Sequence, residues 1–255
     1  MTSTTDRIDT GALREAWTEV HGPPNAAAEQ LLQMNPGYFA RVIDFTAHAW
    51  RRGPLEPKVK ALILLAVDSA ASHLNGPGAA DDVRRALALG ATPAEVLETL
   101  ELTSTMGIHA ANTGVPILLE ELAAAGQPVD MDAPLTERQE EIKAEFTAKR
   151  GYWNEFWDGF LRLDAEFFAT YTALSTHPWE RGPLEPKVKE FIYCAFDCSA
   201  THMFAPGLRQ HVANAIRYGA TAAELMEVFE LASGIGVESF ALALPALREV
   251  MEGDR

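Results

Sequence analysis

The sequence predicts an all-α protein made of two tandem helical repeats. Three observations carry that expectation. The nine residues RGPLEPKVK stand at 52–60 and again at 181–189, about 129 residues on. Each copy leads into an apolar run that opens on a proline. Each run is followed, in the same register, by Gly-Ala-Thr-x-x-Glu, which reads as a helix stop and a new helix start.

The register holds without a gap. From residue 52 onward roughly 31 of 70 aligned positions are identical, too many for chance. Asp68 matches Asp197, His73 matches His202, and Gly107 matches Gly236. Pro57 and Pro186 suit a first helical turn, where the missing N–H has no intrahelical partner. Glu56 and Glu185 place negative charge beside that helix start. The run from Val59 to His73 is apolar nearly all round, as a buried helix is. Asn75-Gly76-Pro77-Gly78 and Ala205-Pro206-Gly207 break it. A second helix then ends at Gly90 and Gly219, which suit the residue just past a helix C-terminus. Thr92 with Glu95, and Thr221 with Glu224, form capping boxes for a third helix. Gln127 to Pro134, rich in proline and aspartate, reads as the linker.

Composition narrows the function. The net charge of −15 repels phosphate backbones and anionic lipid, so neither nucleic acid nor a membrane is an expected partner. Met1 to Thr10 lacks the apolar run of a secretory signal, and Ala61 to Val67 is too short to span a bilayer. A cytoplasmic protein is expected. Two cysteines do not make a disulfide framework.

Taken in order, the GPLxPKxK segment, apolar helix, break, helix, GATxxE and closing Gly-Ile or Gly-Val resemble carboxymuconolactone decarboxylases and the related alkylhydroperoxidase D proteins. The resemblance covers most of both repeats. It implies two tandem alkylhydroperoxidase D-like repeats, at residues 1–126 and 137–255 around a linker at 127–136. It also implies a homo-oligomer. The peroxidase branch carries Cys-x-x-Cys and then a histidine. Its cysteines would fall near Phe204 and Gly207, or near Asn75 and Gly78. Its histidine falls on His211, or on Asp82 in the first repeat. No cysteine stands at those places, so thiol chemistry has only Cys194 and Cys198 to work with.

The matched Asp-to-His device is the sharper signal. His73 and His202 are candidate general acid/base residues, since imidazole titrates near neutrality. The following helix start offers backbone N–H groups that would hold a carboxylate or an oxyanion. Asp68 and Asp197 interrupt an apolar helix and need a partner. About 140° of helical turn separates each from its own histidine, so a partner from elsewhere is expected. His109, its counterpart Glu238, and His211 are further proton-exchanging candidates, and their mismatches suggest unequal sites. Arg209 and Arg181 are candidates to hold a substrate carboxylate. The spacing shows no metal-binding pattern on one helix face, and no metal or cofactor is expected. Glu95, Glu98 and Glu101 read as a solvated ladder, and Tyr152, Trp153, Phe156, Trp157 and Phe160 as packing. The expected activity is a lyase-type proton transfer on a small organic acid or lactone. The alternatives are a thiol-dependent peroxidase and a non-catalytic protein of the same fold.

Overall fold

The computed structural model describes residues 8–253, and these are helical with no strand among them. The first repeat contains α1 (Thr10–His21), α2 (Ala26–Met34), α3 (Pro36–Arg52), α4 (Pro57–Ser69), α5 (Gly76–Ala88), α6 (Pro93–Ser104) and α7 (His109–Ala124). The second contains α8 (Glu137–Arg150), α9 (Asp158–Leu163), α10 (Ala165–Arg181), α11 (Pro186–Cys198), α12 (Ala205–Arg217), α13 (Ala222–Ser233) and α14 (Ser239–Gly253). Short 3-10 turns at Thr105–Ile108 and Gly234–Glu238 precede α7 and α14. From α3 onward every helix starts at the residue its repeat partner predicts, within one position.

The local signals act as read. Pro57 and Pro186 occupy the first turns of α4 and α11. Both capping boxes close, with Thr92 accepting from Glu95 N and Thr221 from Glu224 N. Gly90 and Gly219 take φ of 92° and 85°, the left-handed conformation that glycine reaches without strain. One expectation fails. The buried helices end at Ser69 and Cys198, so His73 and His202 lie in the following turn rather than on the helix. There His73 N bonds to Ala70 O, and Asn75 N returns to Asp68 O at 2.9 Å. The turn folds the histidine back over its own aspartate, and the helical phase argument does not apply.

The two repeats share one core. Helices α4 and α11 cross at its centre, with Leu62, Ile63 and Leu65 packed among Phe191, Ile192 and Phe196. The PKVK lysines explain part of the association. Lys58 pairs with Glu95 of its own repeat at 2.9 Å. Lys60 is 3 % exposed, donates to Ala49 O and Trp50 O at the end of α3, and pairs with Glu227 of the other repeat at 2.7 Å. Lys189 pairs with Glu98 in the same way, also at 2.7 Å. Each glutamate also accepts from a backbone N–H across the junction, Leu55 N for Glu227 and Leu184 N for Glu98. Glu98 is therefore no member of a solvated ladder. It is 2 % exposed because the other repeat covers that face of α6. Gly53 and Gly182 are required beside these carboxylates, since a Cβ at either position would overlap them.

The helical stretch Ala222–Gly253 is long and apolar enough to cross a membrane, which Ala61 to Val67 is not. Its α13 portion supplies Val228 and Leu231 to the core and carries the paired Glu227.

Candidate active site

Each Asp-to-His turn is completed by the opposite repeat. In the first repeat His73 Nε2 lies 2.6 Å from Glu238 Oε2 and 3.7 Å from Asp68 Oδ1. Asn75 Nδ2 donates to Glu238 Oε2 at 2.7 Å and to Asp68 Oδ2 at 3.3 Å. In the second repeat His202 Nε2 lies 2.6 Å from His109 Nδ1. Asp197 Oδ1 is 3.8 Å from His109 and 4.0 Å from His202. The aspartate carboxylates press against Gly78 and Gly207, where a Cβ would overlap them. The helix starts that seemed free to hold a substrate anion are thus covered by the chain's own carboxylates.

Burial sets the protonation of both clusters. Asp68 is pushed up to about 8, first by burial and then by the charge of Glu238. Asp82 is raised by burial and by Asp68, and Glu238 is raised by burial. Asp197 is pushed up to about 8 by burial, with help from Glu190. His109 falls to about 3 through burial and the neighbouring His202, and burial lowers His202 as well. Asp68 and Asp197 therefore both keep a proton near neutrality, and the second cluster adds a pair of imidazoles that burial holds neutral.

The two clusters border corresponding cavities of very different size: Asp68 and Glu238 line the first and His109 lines the second, whereas His73, His202 and Asp197 line neither. The first is about 220 Å³ and the second about 20 Å³. Position by position, the second is the first filled in. Ala27, Ala28, Val42 and Leu64 line the large cavity. Their counterparts Phe156, Trp157, Tyr171 and Tyr193 line the small one. Asn75 is replaced by Phe204, whose ring stacks on His109 at 3.9 Å. A small organic molecule fits the first cavity, whereas the second has room for about one water. The aromatic stretch that read as packing does pack, around Phe146 and Phe168, and it also closes this cavity.

The remaining candidates divide. His211 is buried, 2.6 Å from Glu190 and stacked on Tyr193, and it lines the small cavity. Its counterpart Asp82 lines the large one. Arg181 and Arg209 are exposed and line neither cavity. On α12 the inward face is Gly207, His211 and Asn214, which turns position 209 to solvent. The arginine that lines the large cavity is Arg85, lying over the Trp50 ring at 4.8 Å. Sequence reasoning missed Arg85 and Asn75 because their counterparts, Asn214 and Phe204, differ from them. Cys194 and Cys198 are free. Burial raises Cys194 well above the usual thiol range and Cys198 to about 12. Neither supplies the thiolate that a peroxidase needs.

A model of the carboxymuconolactone decarboxylase family matches residues 165–249, which lie in the second repeat. A crystal structure from Burkholderia xenovorans LB400 is 43 % identical, with a TM-score of 0.94 over 97 % of this chain and 99 % of that one. That protein carries a provisional description as a gamma-carboxymuconolactone decarboxylase subunit. No curated protein matches the sequence.

Proposed function

The chain belongs to the carboxymuconolactone decarboxylase family, and from that premise we propose an enzyme that moves protons on a small carboxylic acid or lactone in the first-repeat cavity. One observation carries the reading. Among the described residues, Asp68 and Glu238, with His73 hydrogen-bonded behind Glu238 at 2.6 Å, form the one such cluster that opens on a substrate-sized space.

The chemistry follows from the lining. Trp17, Leu31 and Trp50 offer an apolar wall for the body of the substrate. Arg85 supplies the positive charge for a carboxylate. Asp68, held protonated at neutrality by burial, donates a hydrogen bond to such an anion where an ionised carboxylate would repel it, and burial shifts Asp82 in the same direction. Glu238 faces the cavity, and His73 behind it holds the proton that Glu238 exchanges. In a decarboxylation the bond to the leaving carboxyl breaks, its electron pair passes to carbon, and Glu238 protonates that carbon as carbon dioxide departs. Glu238 then recovers a proton from His73, and water restores His73. Isomerisation would use the same groups, with Glu238 removing and returning a proton beside a carbonyl and His73 holding it in between.

The test compares His73→Ala with His202→Ala in turnover of a small lactone carboxylate. The expected result is a fall of about 10²–10⁴-fold in kcat/KM for His73→Ala, and a much smaller change for the folded His202→Ala protein. Undiminished activity in His73→Ala sinks the reading.

A further inference from the structure

The geometry points to a divalent transition-metal site between the repeats, formed by His109, His202 and Asp197. It is independent of the chemistry proposed for the large cavity.

The three donor atoms are a single set: His109 Nδ1, His202 Nε2 and Asp197 Oδ1. They are separated by 2.6, 3.8 and 4.0 Å. A point about 2.1 Å from all three lies at the centre of that triangle, the distance at which zinc and its neighbours hold imidazole and carboxylate. The second observation is Asp197 itself. The residue is 0 % exposed, yet neither carboxylate oxygen has a hydrogen-bond partner. A buried, unpaired carboxylate costs several kcal/mol, and native proteins do not usually retain one without a use. A cation at the triangle's centre satisfies it.

The corresponding first-repeat cluster lacks this signature. There Asn75 serves both Asp68 and Glu238, and the donors are two carboxylates and one imidazole. Two imidazoles and one carboxylate suit zinc, cobalt or iron(II), whereas calcium and magnesium prefer oxygen alone. The supports are in place. Phe204 stacks on the His109 ring, and Gly207 leaves room for the Asp197 carboxylate. When the ion enters, the Asp197 carboxyl gives up its proton to water and the ion replaces the proton shared by the two imidazoles. That proton moves to the outer nitrogen of one ring, and the two donor nitrogens part slightly. The cavity of about 20 Å³ beside His109 leaves space for one water as a further ligand and none for a substrate. The ion is therefore a clamp. It ties the start of α7 in the first repeat to the Asp-to-His turn of the second.

The experiment titrates Zn²⁺ into chelator-treated protein by calorimetry, with melting temperature as a second readout. One tight site and a raised Tm are expected. Asp197→Asn and His109→Gln should each weaken Zn²⁺ by more than the roughly 10–100-fold typical of losing an outer-shell group, while Glu238→Gln keeps the site. Circular dichroism confirms folding, and His202→Asn replaces any variant that unfolds. X-ray absorption of the loaded wild-type protein should show two imidazoles. No binding, fewer than two imidazoles, or unchanged affinity in the folded variants overturns the proposal.

Discussion

Glu238 Oε2 stands 2.6 Å from His73 Nε2, although 165 residues separate them and they belong to different repeats. The mirror contact is His109 with His202. Each repeat thus supplies the last member of the other's cluster, and neither cluster exists in an isolated repeat. The same reciprocity governs Lys60 with Glu227 and Lys189 with Glu98.

The state of Asp68 should set the alkaline limb of activity. Its carboxyl is held up at about 8, so it donates a proton at neutrality and loses that capacity above. We expect kcat/KM to fall as pH rises through about 8. Asp68→Asn should remove that limb together with most of the activity. A pH profile of both proteins on a small lactone carboxylate checks this; an unchanged limb in the variant contradicts it.

Stability should follow the same group. A folded pKa of about 8 against an ordinary value of 3.8 means that the folded state binds the extra proton. Its contribution is fully present below the unfolded value, declines as pH rises, and is gone above about 8. Thermal melts at pH 5 and pH 9 should show Asp68→Asn gaining on the native chain more at pH 9 than at pH 5. Equal differences at both pH values would count against a buried protonated carboxyl.

Removing one member of a cross-repeat ion pair strands a buried charge. Lys60→Met leaves Glu227, 2 % exposed, without its ammonium and frees the end of α3. A loss of about 3–5 kcal/mol is expected, measurable by urea denaturation. A change under about 1 kcal/mol would mean that the pair does not hold the repeats together.

Self-association is expected through α7 and α14. Helix α7 buries no residue, yet presents Ile117 and Leu118; α14 presents Leu242, Leu247 and Val250. Apolar helix faces of this kind, one per repeat, suit a second copy of the chain. Light scattering coupled to size exclusion should give a multiple of 27.8 kDa, reduced by Leu242→Glu. A monomer at micromolar concentration refutes it.

The sequence by itself determined the helices, their caps and the repeat register, and it singled out the Asp and His positions as a pair. These rest on local causes: a proline that fits a first turn, a threonine that accepts from an N–H three residues on, a glycine with positive φ. The mismatches His109 against Glu238 and Asp82 against His211 were also legible. Which residues meet was decided only by tertiary structure, because the partners cross between repeats whose relative placement no local signal encodes. Packing likewise turned Glu98 inward, turned Arg209 outward, and brought Arg85 to the cavity. The inequality of the two sites needed both levels. Ala28 against Trp157 and Leu64 against Tyr193 are visible in the sequence. Only in the fold do these side chains point into the same space, leaving one cavity open and filling the other.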